Sequence, residues 1–371
     1  MGREINFVTL YPACPNYGLV KDVGQIPYAL NKINGVHTGL ASSCIDMTGE
    51  HIQYLEGMSI YQIGNKNQFL DGVCFILKNA KKIDWLNLFH GGRKCYYWTK
   101  LFKFLNPHGK VYIKMDLSYE GCRHYRESEK EKRIFVKTTN AADIVSVESG
   151  KIQSIVKDVT GMHVELIPNG YMDIDEETID NVNRENVFIT VGRLGTPPKA
   201  TDILLEAFAQ SALEHDWSLK LVGPIEEEFK PYIEDFYKRY PELKNRVRFM
   251  GAINDRPKLY AEYRSARVFV LPSRWEGSPL VGPEALFNGC RMILTDVIPP
   301  IDEFTNKLQF GTVVETSSIE ALKNALINEA NRQYEEKEHL AIKEYAKENL
   351  LWDSIVARLY ELMKMETDKE L

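Results

Sequence analysis

The sequence predicts an α/β protein made of two parallel sheets, each covered by helices. Short apolar runs alternate with helical patterns from one end of the chain to the other. That alternation marks strand–helix–strand units with parallel strands. About ten candidate strands are too many for one compact open sheet and suit two sheets of five or six. The length agrees: 371 residues fit two domains at roughly 100–200 residues each. A composition of 44% hydrophobic and 26% charged residues excludes a disordered, collagenous or disulfide-stapled chain.

The elements follow in order. In the first half, runs rich in Val, Ile, Leu and Phe read as strands at Ile5–Leu10, 73–77, Trp85–Phe89, 111–115 and Ile144–Val147, with a helix at 26–33. Pro168-Asn169-Gly170 is then a turn signal, and an acidic stretch from Asp173 to Asp180 follows it. A second series begins beyond it, with strands at 187–191, 219–222, 247–249, 268–271 and 292–295. Its helices are expected at 203–213, 280–288 and 319–350. These runs divide the chain into domains at 1–172 and 173–350, with an amphipathic helix in the remaining 351–371.

Charge divides the chain the same way. The first 170 residues carry 21 Lys and Arg against 16 Asp and Glu, a net +5; the remainder carries 25 against 36, a net −11. The overall charge of −6 argues against a general nucleic-acid binder, and the asymmetry suggests two units with different partners. The six cysteines are widely spaced with no C-x-x-C pair, which predicts reduced, mostly buried thiols in a cytosolic protein. The amino terminus lacks the apolar core of a signal peptide. No run approaches 18 apolar residues. Met1-Gly2 opens like a myristoylation site, but the sixth position is Asn6.

Two constellations carry candidate chemistry. The strand at 187–191 runs into Gly192, Arg193 and Leu194, then Lys199, ahead of a helix starting near Asp202. Two cations beyond the C-terminal end of a parallel strand suit a phosphate or diphosphate. The strand at 268–271 runs into Pro272, Ser273, Arg274, Trp275, Glu276, Gly277, Ser278 and Pro279. A helix begins near Leu280 and carries Glu284 one turn in. A helix start offers N–H groups and a positive dipole end to an anion. Glu276 and Glu284 are then placed to touch different parts of one ligand. Taken singly, the cations read as ordinary surface charge and the glutamates as a solvated helix face.

In combination these residues resemble the retaining glycosyltransferases of family 4, which have the GT-B fold of two Rossmann-like domains facing across a cleft. The family signature is a glutamate, seven residues and a second glutamate after a Pro-Ser strand end, here Glu276 and Glu284. Gly192 to Leu194, Lys199, Asp202 to Phe208, Leu219 to Gly223, Val247 to Gly251 and Gly289 to Asp296 match as well. The resemblance covers 187–305 and fades in the first half.

The resemblance implies roles. Arg193 and Lys199 would hold the donor diphosphate, and Glu276 would face the donor sugar. Glu284 would accept hydrogen bonds from the ribose hydroxyls. The backbone of Gly277, Ser278, Pro279, Leu280 and Val281 would meet sugar and phosphates, and that around Met250 and Gly251 the base. In the first domain, Gly18, Lys21, Asp22 and Gly24 would form a loop near the phosphates and the acceptor, or else a plain surface turn. His90 and Asp116 end strands that would face the reaction centre, although a structural histidine and a strand-end cap are the alternatives. The helix in 351–371 would return to the first domain.

Four departures stand out. The usual Lys-Gly is Lys199-Ala200. Ser278-Pro279 replaces an aromatic and a glycine beside the sugar. Gly223 is followed by Pro224, and Met115-Asp116 lacks the usual histidine.

The activity so implied is transfer of a sugar from a UDP- or GDP-sugar to a hydroxyl of a glycan or lipid-linked acceptor, in bacterial surface-polysaccharide synthesis. No cofactor and no metal are expected. Asp173-Ile174-Asp175 spells a metal-binding D-x-D triplet but lies in the acidic linker. From Lys78 to Lys137 there are 15 Lys and Arg against 6 Asp and Glu. The segment from Arg93 to Phe104 interleaves cations with aromatics, which suits an anionic membrane surface or a half-buried amphipathic helix. These features predict a cytoplasmic protein, peripheral at the inner membrane face. The competing readings are a non-catalytic GT-B interaction subunit and another GT-B enzyme such as a sugar-nucleotide epimerase.

Overall fold

The computed structural model describes residues 4–64, 66–172, 184–335 and 337–369. The acidic stretch and the D-x-D triplet lie outside them. The chain forms two units: residues 1–170 with 352–371, and residues 171–351.

The first unit is a seven-stranded, wholly parallel sheet. Its strands are β1 (Ile5–Leu10), β2 (Val36–Ser42), β3 (Ser59–Gln62), β4 (Trp85–Phe89), β5 (Lys110–Lys114), β6 (Ile144–Val147) and β7 (Glu165–Leu166). Their order is β3-β2-β1-β4-β5-β6-β7. β4 and β5 are buried along their whole length, as expected of parallel strands covered on both faces. On one face, Phe75, Trp98, Phe102 and Phe135 of three helices pack on Leu86, Leu88, Val111 and Ile113.

The run at 73–77, expected as a strand, is the middle of a helix, Gln68–Asn79. The Asn67 side chain accepts from the Phe69 and Leu70 N–H groups and starts the helix. Gly72 and Ile76 are buried and Leu70 and Leu77 exposed, which is helical and not alternating spacing. Any Cβ at Gly72 would stand 2.5 Å from the Trp98 ring, so the glycine sets how closely the two helices pack.

The second unit is a six-stranded parallel sheet. It comprises β8 (Glu185–Val191), β9 (Ser218–Val222), β10 (Val247–Gly251), β11 (Ala266–Leu271), β12 (Arg291–Thr295) and β13 (Gly311–Val314). Their order is β10-β9-β8-β11-β12-β13. Leu204, Leu205 and Phe208 cover one face; Tyr260, Tyr263, Leu286 and Ile342 cover the other. The helical pattern at 319–350 resolves into two helices, Ile319–Ala330 and Glu338–Leu350. Arg291, 7% exposed on β12, joins them by pairing with Glu329 at 3.0 Å and Glu338 at 2.7 Å.

The last helix, Trp352–Asp368, buries Trp352, Ile355, Val356, Leu359 and Met363. That spacing is one stripe of an amphipathic helix. It belongs to the first unit, where Asp353 pairs with Lys32 at 2.9 Å. Of the cysteines, Cys14, Cys95, Cys122 and Cys290 are buried, while Cys44 and Cys74 are exposed.

Candidate donor site

Each sheet reverses its winding once, between β1 and β4 and between β8 and β11. Ligands of open parallel sheets bind beyond the strand C-termini at that point. In the second unit the loops leaving β8 and β11 carry Arg193, Lys199 and Glu276, so the topology brings these residues together.

Lys199 Nζ donates to Glu276 Oε1 at 2.5 Å, and Ser273 Oγ donates to the same oxygen at 2.7 Å. The Lys199 and Glu276 side chains keep 21% and 13% of their exposure, so both are reachable by a ligand yet largely shielded from bulk water. The loops are clamped by Arg274, which the sequence did not single out. Its guanidinium donates to the Pro197 carbonyl at 2.9 Å and Asp202 Oδ2 at 2.6 Å, and its backbone N–H donates to the Pro198 carbonyl. Thr295 Oγ1 holds the Ser273 carbonyl from β12. Arg193 is exposed, and its guanidinium has no hydrogen bond or ion pair among the described residues.

Ala200, where the resembled family has glycine, sits in the left-handed region with φ 47° and ψ 40°. This explains the family's preference, since an L-residue there carries about 1–2 kcal/mol of steric cost. At Gly223 a Cβ would stand 1.8 Å from the Gly192 carbonyl oxygen. The β8 and β9 ends meet there with room for backbone alone, and Gly223 donates its N–H to the Gly251 carbonyl. Gly251 itself has φ 70°, and Met250 is exposed.

Glu284 is buried on the short helix Val281–Phe287. Arg256 Nη1 donates to its Oε1, and Tyr263 Oη donates to its Oε2 at 3.4 Å. Burial opposes the charge on Arg256, but the Glu284 carboxylate outweighs it and holds the guanidinium above its ordinary value. Arg256 was missed in the sequence because Asp255-Arg256-Pro257 reads there as an exposed helix start. The N–H groups of Gly282 and Glu284 are taken by the Pro279 and Leu280 carbonyls. Backbone contacts to an anion therefore fall to the turn 277–281.

In the first unit, Tyr11 and His90 directly follow β1 and β4, and Tyr11 Oη lies 3.2 Å from His90 Nε2. His90 has φ 68°. Asp116 is exposed beyond β5. Asp22 is raised by burial, opposed by Lys114 and reinforced by Asp116. Glu148, fully covered and 3.0 Å from Lys114, is pushed up to about 7 by burial, with Lys114 opposing. Lys21 lies over the Tyr17 ring at 5.1 Å. Gly18 and Gly24 are buried, and a Cβ at Gly24 would meet the Leu19 backbone at 2.5 Å. The segment 18–24 is therefore closely packed against its own chain, and only its first part is loop: Asp22 and Gly24 lie in the first turn of the helix Asp22–Leu30, which starts four residues ahead of the expected one. Among the described residues, no three His, Cys, Asp or Glu side chains stand together as a metal-binding group. No helix among them is long and apolar enough to cross a membrane.

Two Rossmann-like parallel sheets, the second with this cation–carboxylate cluster at its switch point, define the fold class, and its neighbours among solved structures are GT-B proteins. Sucrose-phosphate synthase from Thermosynechococcus elongatus superposes with a TM-score of 0.72 at 19% identity, covering 98% of this chain and 99% of that one. Residues 173–349, most of the second unit, match the family of glycosyl transferases group 1. An uncharacterized glycosyltransferase of Haemophilus influenzae is 29% identical over 166 residues, covering 43% of this chain and 45% of that protein. A UDP-Gal:alpha-D-GlcNAc-diphosphoundecaprenol alpha-1,3-galactosyltransferase of Escherichia coli is 28% identical over 184 residues, 46% of each. The matches thus span less than half the length of both curated relatives.

Proposed function

We propose that the chain is a retaining glycosyltransferase of family 4. It moves a sugar from a UDP- or GDP-sugar to a hydroxyl of a glycan or lipid-linked acceptor, with no metal ion. The observation that carries this reading is the Lys199–Glu276 contact at the switch point of the second sheet, with Glu284 eight residues further on. The galactosyltransferase relative uses a UDP-sugar and a diphosphoundecaprenol-linked acceptor, which supports the donor and acceptor classes.

The chemistry separates charge. The bond from the anomeric carbon to the diphosphate oxygen breaks while one to the acceptor oxygen forms on the same face. The carbon becomes oxocarbenium-like as the diphosphate gathers negative charge. Lys199 keeps two donors beyond its bond to Glu276, and Arg193 has all of its own. Together they take up the diphosphate charge where a metal ion otherwise would. Glu276, fixed by Lys199 and Ser273, accepts from the sugar hydroxyls; Glu284 accepts from the ribose. The acceptor proton passes to the leaving phosphate oxygen, and the products are a glycoside and a nucleoside diphosphate.

The first unit takes the acceptor, with His90, Asp116 and the segment 18–24 near its hydroxyl. The helix Arg93–Leu105 brings that unit to an anionic membrane face on the cytoplasmic side. Its outer side shows Tyr97 at 56% and Phe104 at 81% exposure. With the helix Glu129–Ala141 it borders a recess of about 490 Å³ lined by Arg93, Lys130, Arg133 and Lys137. The test is transfer from UDP-galactose, UDP-glucose, UDP-N-acetylglucosamine or GDP-mannose to a GlcNAc-diphospholipid, with the product's anomeric configuration read by NMR. A retained configuration formed in the presence of a chelator supports the reading. An inverted product, or transfer only with added metal, contradicts it.

A further inference from the structure

Glu284 is held at both oxygens, by Arg256 and Tyr263, and both holders come from a different element, the helix Arg256–Ser265. We infer that Arg256 is a positioning residue for the nucleotide ribose: it fixes the Glu284 carboxylate so that its two remaining acceptor positions meet a vicinal diol. This rests on the donor reading above and adds a residue that the glutamate spacing does not contain.

The geometry carries the argument. A carboxylate accepts at about four lone-pair positions, two on each oxygen. Arg256 occupies one on Oε1 and Tyr263 one on Oε2. One position on each oxygen is left, the number that two adjacent hydroxyls require. Arg256 itself is fixed. It opens the helix Arg256–Ser265, whose N-cap, Asp255, accepts from the Lys258 N–H, and Pro257 follows directly. A proline in the first turn presets the backbone. The Glu284 side chain is 8% exposed and that of Arg256 is 22% exposed, so the pair is shielded from water and a misplaced carboxylate has no solvent to relax into. Without Arg256 the carboxylate would be a nearly buried charge lacking its countercharge. It would then turn toward whatever donor it finds, the ribose included, in no fixed direction.

A residue acting this way affects binding of the diol more than the chemical step. Arg256→Gln should raise the donor KM with a smaller change in kcat, the pattern of lost uniform binding. The decisive readout is sugar selectivity within the nucleotide. UDP, GDP and ADP are titrated into the wild-type protein by calorimetry, each beside its 2′-deoxy counterpart. The tightest pair is then measured on Arg256→Gln, Arg256→Lys and Tyr263→Phe, with thermal unfolding as a check of folding. The wild type should prefer the ribonucleotide by about tenfold or more, as for a hydrogen bond to a charged group. Arg256→Gln should bring that ratio near one, Arg256→Lys should restore part of it, and Tyr263→Phe should reduce it less. If Arg256→Gln does not fold, the lysine and phenylalanine variants carry the comparison.

A ratio equal to wild type in the folded Arg256 variants overturns the inference and leaves the donor reading standing. A wild type that binds but does not distinguish ribose from deoxyribose overturns it as well. No binding of any of the three diphosphates overturns both.

Discussion

At the scale of single residues, the charges we assign to a ligand in the second unit differ in setting from those that serve the fold. Lys199, Glu276 and Glu284 are largely shielded; Lys199 and Glu276 pair with each other, and Glu284 pairs with Arg256. Arg246, by contrast, is spent on structure: its guanidinium donates to the Ala212, His215 and Trp217 carbonyls. His215 sits against it and accepts the Trp217 N–H at Nδ1. Burial pushes His215 down to about 4 from its ordinary 6.5, and the Arg246 charge adds to the effect. The unfolded chain takes up this proton near pH 6.5, the folded unit only near 4. The contribution of His215 to stability is therefore whole above pH 6.5 and is lost as the pH falls toward 4. Urea unfolding at pH 7.5 and pH 5 should show a smaller loss on acidification for His215→Gln than for wild type.

At the scale of elements, the turns that end strands decide where side chains point. Ala200 holds the turn between Lys199 and the helix Thr201–Ser211 in a left-handed conformation and is fully buried. Ala200→Gly relieves about 1–2 kcal/mol of steric cost and adds back about 0.5–1 kcal/mol of chain entropy. The variant should be equal in stability to wild type or better by up to ~1.5 kcal/mol, with Lys199 in place. Ala200→Val should lose on the order of 1–3 kcal/mol. Chemical denaturation of the two variants reads both signs.

The same scale shows what was legible beforehand. Strands with buried neighbours on both sides, such as β4, β8, β11 and β12, announced themselves as continuous apolar runs. β2, β3, β7 and β13 did not. β3 and β7 are short edge strands with no fully buried residue, and Thr38 and Gly39 interrupt the apolar pattern of β2. Residues 73–77 misled for the opposite reason, since a short apolar run has no period of its own. The glutamate spacing and both donor-loop cations could be read directly. Arg256 and Arg274 could not, because their partners lie on other elements, Glu284 on the helix Val281–Phe287 and Pro197 and Asp202 beyond β8, that only the fold brings beside them.

At the scale of the whole molecule, the chain begins and ends in one unit. The stripe on Trp352–Asp368 is packed within the first unit, although the sequence reaches it only after completing the second. Leu359 is fully buried there, and Leu359→Ala should cost about 2–5 kcal/mol. The loss should appear in unfolding of the first unit, read by hydrogen exchange at β1 and β4, with protection of β8 and β11 unchanged. Equal loss of protection in both sheets would contradict the division. The charge asymmetry falls close to this division: the basic residues 1–170 lie in the first unit, which also carries the recess lined by Arg93, Lys130, Arg133 and Lys137.

The most direct measurement is a calorimetric titration of UDP- and GDP-sugars into wild type, Lys199→Ala and Glu284→Ala, with and without a chelator. The account predicts one clear binder for wild type, unaffected by the chelator. Glu284→Ala should bind it at least about tenfold more weakly. Lys199→Ala should remain folded with turnover reduced on the order of 10²–10³. Wild-type binding and turnover in both variants would contradict the assignment of the donor site.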